Sequence, residues 1–415
     1  MADSPTVDAT GQPSPTSTSP VGRPLSVTWT EVAPGDTSLF GYGTMFLLNS
    51  RTGQIYSPTD QVRTDGPRVW ISWGPSLVRD PLSLWMYPSA NDDGWVGGFF
   101  VGNALEPMKR VPGEVPAASS RGIAATTDGG NVLLVDMNTG RELSRIPDTR
   151  GQRPGGWSWD GRYLALVTDG DAQKNTKPLI AIWDFDTRQT ILELEASAIH
   201  WANKHNRFLY QTNSDSGRDV DLEFRIRDLK SGVDHDLGGG TFFSPSTWSP
   251  NDDYVIGNLP IERTSWFSIF DASSGRKLAS VGGSWPMRWL DDRTIALLAD
   301  VCTGATSLVY MKADGSDLNE VATFGDGRTV HPSPDGSLYA FSDWTGVDLV
   351  MALEIVDRAT GASIRYETGS SFLVGHPWNH AWSPDGRFLI LMSPVGKDGA
   401  CMGVDPEPFQ LTRHP

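Results

Sequence analysis

Short, nearly unbroken apolar segments alternate with clusters of turn-forming residues along most of this chain. The stretch Arg387-Phe-Leu-Ile-Leu-Met392 is representative: it follows the turn Ser383-Pro-Asp-Gly386, and a short aromatic stretch from His376 to Trp382 precedes that turn. Proline fixes φ, while Asp and Gly accept the conformations that reverse a chain. A continuous apolar run, without alternation, predicts a strand buried on both faces. Strands at 401–404 and 409–412 complete the expected unit of four.

The unit recurs. Five copies read Trp157-Ser-Trp-Asp-Gly-Arg162, Trp248-Ser-Pro-Asn-Asp-Asp253, Trp289-Leu-Asp-Asp-Arg293, Pro332-Ser-Pro-Asp-Gly336 and Trp382-Ser-Pro-Asp-Gly-Arg387, each followed by an apolar run. A degraded sixth, Ala202-Asn-Lys-His-Asn-Arg207, fills the remaining gap. Aligned on the Asp column at Asp160, His205, Asn251, Asp292, Asp335 and Asp385, the copies are 45, 46, 41, 43 and 50 residues apart. A period in the forties built of strands and turns marks a β-propeller.

A second motif gives the turn between third and fourth strands: Asp136-Met-Asn-Thr-Gly140, Asp228-Leu-Lys-Ser-Gly232, Asp271-Ala-Ser-Ser-Gly275 and Asp357-Arg-Ala-Thr-Gly361, with an early copy at Asn49-Ser-Arg-Thr-Gly53. It adds two units upstream of the six. The expectation is an all-β chain forming one propeller of four-stranded antiparallel blades, eight in number with seven the alternative. The boundaries read 25–104 (an irregular first blade with an insertion), 105–149, 150–195, 196–240, 241–282, 283–323, 324–368 and 369–415. Residues 1–24 are rich in Ser, Thr and Pro with almost nothing to bury, the composition of a disordered tether.

Composition narrows the partners. Of 415 residues, 34 are basic and 50 acidic, for a net charge of −16. So acidic a surface repels phosphate backbones, which argues against nucleic acid. No apolar run approaches the ~18 residues that cross a bilayer, so membrane insertion is not expected. The two cysteines, Cys302 and Cys401, fall in different repeats and read as free thiols.

The Trp-Ser-Pro-Asp-Gly-Arg phrase resembles the TolB-type β-propeller repeat, a relative of the Trp-Asp repeats. The resemblance is strong over 150–415 and weak over 25–149. It implies a bacterial, exported or surface-anchored scaffold that binds proteins or small ligands in the cell envelope. The 1–24 tether fits such a chain after removal of an export signal or lipid anchor. Similar propellers cap peptidases of the prolyl-oligopeptidase type, but those need a Gly-x-Ser-x-Gly elbow, and this chain has none.

In a four-stranded blade the first-to-second and third-to-fourth turns share one face of the disc. Here both are short and stereotyped. The second-to-third loops lie on the opposite face and vary: 168–177, 211–220, 258–266, 299–305, 342–349 and 393–400. Binding residues concentrate on variable loops held by a rigid scaffold. Asp171, Asp219, Arg263, Trp266, Asp343, Trp344 and, near the inner strand, Trp378 are the candidate ligand-binding residues. They suit a glycan or polar peptide through ring stacking and bidentate hydrogen bonds.

His200, His331, His376 and His380 fall on expected innermost strands, with His200 level with His380 and His331 one place later. Clustered, they would suit zinc or another transition metal. Separate, they would bond backbone or pack against neighbouring blades. Alternating oxygen ligands at 169–175 and 213–219 suggest calcium only faintly, for neither matches the full loop pattern. No catalytic residue stands out. The expected function is a non-catalytic scaffold that binds a protein or a glycan through its variable loops. The alternative is a propeller enzyme of glycan lyase, hydrolase or lactonase type, with its site at the channel mouth.

Overall fold

The computed structural model describes residues 26–32, 45–58, 69–73, 83–88, 99–103, 105, 108–111, 114–128, 130–170, 176–213, 222–239, 241–242, 247–258, 267–282, 284–299, 306–324, 328–343, 351–368, 373–374, 382–392 and 411–414. They form eight antiparallel sheets, numbered here as blades in chain order. From inner to outer strand, blade 1 is Val69–Trp73, Ser83–Pro88, Phe99–Asn103 and Met108–Val111. Blade 2 is Glu114–Ala118, Ile123–Asp128, Asn131–Asp136 and Glu142–Arg145. Blade 3 is Arg153–Trp157, Tyr163–Thr168, Leu179–Asp184 and Gln189–Glu195, and blade 4 is Ala198–Trp201, Arg207–Asn213, Leu222–Asp228 and Asp234–Gly239.

Blade 5 continues with Thr241–Phe242, Tyr254–Asn258, Phe267–Asp271 and Lys277–Val281, and blade 6 with Ser284–Trp289, Thr294–Ala299, Thr306–Lys312 and Asn319–Phe324. Blade 7 is Arg328–Pro332, Leu338–Asp343, Met351–Asp357 and Ser363–Thr368. Blade 8 is composite. Its inner strands, Leu373–Val374 and Phe388–Met392, come from the end of the chain, and its outer strands, Met45–Asn49 and Ile55–Pro58, from the beginning. The fold is thus an all-β propeller, and the eight sheets of the described residues are consistent with the expected eight blades.

Closure revises the boundaries read from sequence. Asn49-Ser-Arg-Thr-Gly53 is the third-to-fourth turn of blade 8, because Met45–Asn49 pairs residue by residue with Phe388–Met392. The stretch 25–104 therefore serves two blades, and Met108–Val111 ends blade 1 instead of opening blade 2. Leu411–His414 is not the fourth strand of the last blade; it adds to the outer edge of blade 7, opposite Arg365–Thr368. The expected third strand at 401–404 lies outside the described residues. Each motif is local and fixes a turn, whereas pairing the two ends of a ring is a long-range event that leaves no local mark. Ser26–Val27 lies on the outer edge of blade 1 and Trp29–Glu31 on that of blade 8. Only Thr28 separates them, so blades 1 and 8 are neighbours.

The core lies between blades, not within one centre. Val167, Ile180 and Ile182 of blade 3 meet Trp201, Phe208 and Tyr210 of blade 4. Ile256, Phe267 and Ile269 of blade 5 meet Trp289, Ile295 and Leu297 of blade 6. Across the closure, Phe46, Leu48 and Leu389 of blade 8 meet Ala340, Leu353 and Ile355 of blade 7. Middle strands such as Tyr163–Thr168 are covered on both sides, which is why their apolar runs do not alternate. Removing each such side chain from water contributes roughly 1.5–3 kcal/mol.

The recurring Trp ties each blade to the one before. Its indole N–H donates across the interface from Trp157 to the Ala117 carbonyl (3.0 Å), Trp201 to Gly156 (3.0 Å), Trp248 to His200 (3.1 Å) and Trp382 to His331 (2.7 Å). Gly156 is required there: its φ is +116°, and a Cβ would stand 3.2 Å from the Trp201 ring. The acceptor always sits on an inner strand, one residue before the Trp position of its own blade.

Candidate functional site

On the turn face, the repeat serine is the fixed point. Its buried hydroxyl donates to the motif Asp or Asn and accepts from the first amide of the next strand. Ser158 does so with Asp160 (2.7 Å) and Tyr163 (2.9 Å), Ser249 with Asn251 (2.8 Å) and Tyr254 (3.0 Å), Ser333 with Asp335 (2.7 Å) and Leu338 (2.9 Å), and Ser383 with Asp385 (2.6 Å) and Phe388 (2.9 Å). Burial opposes the charge on Asp160, yet hydrogen bonds from Asn206, Ser158 and the Arg162 amide hold its carboxyl below the usual range.

The third-to-fourth turns follow one plan. Asp136, Asp228, Asp271 and Asp357 each accept from the backbone amides two and three residues ahead. Asp184 adds a charged partner, taking Arg162 Nη2 at 2.7 Å, and that hydrogen bond is the largest influence depressing its pKa. The acids of these turns are occupied in building them. In the first-to-second turn of blade 6 the residue that does so is Asp291, which accepts from the Arg293 and Thr294 amides, not Asp292 of the column read from sequence.

The degraded copy in blade 4 is repaired by its neighbour. Ala202 N donates to Arg207 O as Ser158 N does to Tyr163 O, so Lys204, not His205, holds the Asp column. Blade 5 departs from the motif at the same junction, carrying Asp252 where the copies of blades 3, 7 and 8 have Gly161, Gly336 and Gly386. Asp252 adopts φ 65° and is fully buried. Its carboxylate accepts from Asn203 N (2.6 Å), Lys204 N (2.6 Å) and His205 Nδ1 (2.9 Å). A left-handed non-glycine residue costs ~1–2 kcal/mol, and three charge-assisted hydrogen bonds offset it.

On the opposite face the described rim lies on blades 2 and 3. Arg153 Nη2 approaches Asp169 Oδ1 at 3.2 Å, Lys177 Nζ approaches Glu195 Oε2 at 2.6 Å, and Arg145 reaches Asp128 and Glu142. These side chains are exposed, with Asp169 at 74%. Sequence reasoning stressed the acids and aromatics of this face and passed over Arg145, Arg153 and Lys177. For Arg153, at a strand end beside the 168–177 loop, and for Lys177, the last residue of that loop, position was the available signal.

Of the predicted ligand-binding residues, Asp343 closes the second strand of blade 7, its backbone opposite Arg328, at the variable-loop end. Asp171, Asp219, Arg263, Trp266, Trp344 and Trp378 lie outside the described residues, as do His376 and His380. His200 and His331 sit on the inner strands of blades 4 and 7. The corrected register makes them equivalent, each one residue before the Trp position. Trp201 packs against blade 3, so its neighbour His200 projects from the other sheet face, toward blade 5. Val330 packs against blade 6, so His331 faces blade 8. The structure does not bring these two imidazoles together.

Burial lowers both imidazole pKa values, that of His331 to about 4. Among the described residues, His200 Nδ1 has no hydrogen-bond partner, and no group of three His, Cys, Asp or Glu side chains is placed to hold a metal. Blade 6 carries Arg288 in the same column, a residue the sequence reading did not single out. Its Nη1 donates to the Pro332 carbonyl at 3.4 Å, in the interface where blade 7 has Pro in place of Trp, and burial lowers its pKa to about 10.

No family model matches the chain, and no curated relative matches it. Among solved structures, it is similar to TolB from Acinetobacter baumannii (12% identity, 74% of this chain and 76% of that one, TM-score 0.33). It is also similar to the β-propeller domain of the Trilobed protease from Pyrococcus furiosus (12%, 69% and 91%, 0.40). A third is an oligogalacturonate lyase in complex with manganese (10%, 88% and 99%, 0.40). At these identities and TM-scores the likenesses carry no functional argument, and the propeller assignment stands on the sheet order.

Proposed function

We propose that this chain is a non-catalytic propeller scaffold that binds a protein partner or a polar ligand such as a glycan on the face carrying its second-to-third connections. One observation supports this reading: the face of the second-to-third connections, whose loops vary in length, carries a row of exposed ion pairs on blades 2 and 3. The motif acids of the turn face are bonded to backbone and serve the fold. On the opposite face Arg145, Arg153, Asp169, Lys177 and Glu195 form exposed ion pairs. Such pairs contribute only ~0–1 kcal/mol, so a ligand's own polar groups replace them at little cost. Asp171, Asp219, Arg263, Trp266, Asp343 and Trp344 extend the same surface in this reading.

Among the described residues, no helix is long and apolar enough to cross a membrane. An extracytoplasmic location belongs to the proposal and rests on the 1–24 composition and the TolB-type repeat. The test is affinity capture from a cell-envelope extract with the wild type and with a variant whose 211–220 and 342–349 loops are replaced by Gly-Ser linkers. Loss of recovery with the variant is the expected result; equal recovery overturns the reading. Elemental analysis adds an independent check, since a stoichiometric histidine-bound transition metal would favour the enzyme alternative.

A further inference from the structure

The outer strands of the eight blades fall into two classes. In blades 2 to 6 the fourth strand carries a bulge against the third. The ladder skips Leu143, Ile191, Leu237, Leu278 and Val321 in turn. In all five, that strand is the outermost of its sheet among the described residues. In blades 1, 7 and 8 the fourth strand pairs without a register shift, and each of these straight edges is covered by a fifth strand. Bulges twist an edge and interrupt its row of N–H and C=O groups, which is how sheets discourage further strand addition. A straight edge remains a template.

From this correlation we infer that the outer edge of blade 7 is a strand-acceptor site, held here by the chain's own Leu411–His414 and open to an extended segment of a partner polypeptide when that strand leaves. Ser363–Thr368 pairs with Met351–Val356 over six consecutive residues, the longest unbroken outer pairing in the molecule among the described residues. Leu411–His414 takes only four of its six positions, antiparallel, with Thr368 opposite Leu411 and Arg365 opposite His414. The covers of blades 1 and 8 lie in one segment, separated by Thr28 alone. The cover of blade 7 is instead joined to Phe388–Met392 through the 18 residues of 393–410, a length that lets it depart without pulling on that strand. Main-chain hydrogen bonds supply the affinity in such an addition, and the occupant defines the ligand class: a short extended peptide. This surface is distinct from the variable-loop face proposed above, and the two fail independently.

A tethered strand is present at an effective concentration in the millimolar range, so a free peptide meets a blocked edge in the wild type. Replacing Thr412 and Arg413 together by proline removes the ladder donor whichever of the two alternating N–H groups faces blade 7. The full-length double variant should bind a fluorescein-labelled 409–415 peptide at least tenfold more tightly than the wild type. The same peptide carrying both prolines should not bind. Equal binding by variant and wild type, or by the two peptides, overturns the proposal. Hydrogen exchange on the wild type is independent of the variant's folding. Excess peptide should speed exchange of the 411–414 amides while 365–368 stay protected, and unchanged exchange at 411–414 likewise overturns it.

Discussion

Blades 2 to 6 and blades 7, 8 and 1 solve one problem by different means. The first arc is repetitive: each blade is one contiguous segment, and outermost strands are bulged. The second arc holds both ends of the described chain, blade 8 is assembled from them, and every outer edge is straight and covered. A repetitive arc needs only nearest-neighbour contacts, learned once and copied. The closing arc must also bring residues 45–49 to residues 388–392, a loop closure whose entropy the extra strands and the blade 7–8 core must overcome.

The comparison breaks most visibly at the core. Phe46→Ala in the closing strand and Phe208→Ala in blade 4 each empty a nearly water-free site, and each should cost about 3–5 kcal/mol. Calorimetry should separate them: Phe46→Ala splits an early transition from the rest, whereas Phe208→Ala lowers a single one. Identical single transitions would show that the closing arc is no weaker than the repetitive arc.

At the repaired junction within the repetitive arc, Asp252→Ala strips three donors of their buried acceptor and should cost about 2–4 kcal/mol in urea unfolding. Asp252→Gly should cost about 1 kcal/mol less, because glycine adopts φ 65° freely. Equal losses would mean that the left-handed backbone carries no strain.

Acid should act on the closing arc through His331. Its folded pKa of about 4 lies below the ordinary 6.5, so between these values the unfolded chain takes up a proton that the folded chain refuses. Stability is therefore retained above pH 6.5 and lost as pH falls toward 4. His331→Asn should reduce the loss between pH 7 and pH 5 by about 1–2 kcal/mol. Parallel curves for variant and wild type would rule this out.

The smaller effects concern groups whose charge contributes little. Arg288→Met removes a guanidinium whose Nε is buried without a partner among the described residues. It should leave the urea midpoint within about 1 kcal/mol of the wild type, or raise it. Lys177→Ala on the rim should change stability by less than about 0.5 kcal/mol while weakening ligand capture, the combination expected of a binding residue.

The repeat motif in the sequence was sufficient for the fold. Trp157, Ser158, Asp160 and Gly161 report backbone conformation through their own chemistry, so six copies in register imply six blades. The candidate site was less legible. Asp343 lies at the variable-loop end of its strand, but the rim cations Arg145 and Arg153 were not singled out. Arg288 emerged only when the inner strands were aligned on the Trp indoles. His205 was mistaken for the Asp column because the blade 4 turn has lost the residues that define its register, and the compensating Asp252 lies 47 residues away.

By itself, the sequence determined what is local: strands from apolar runs, turns from Ser, Asp and Gly, the blade period, and the face on which variable loops must lie. Only the tertiary structure decided which segments share a blade, which edges are covered, and that equivalent imidazoles face different neighbours. A turn's conformation is set by a few adjacent side chains. Ring closure and edge pairing depend on backbone groups that all residues share, and those groups carry no sequence signature.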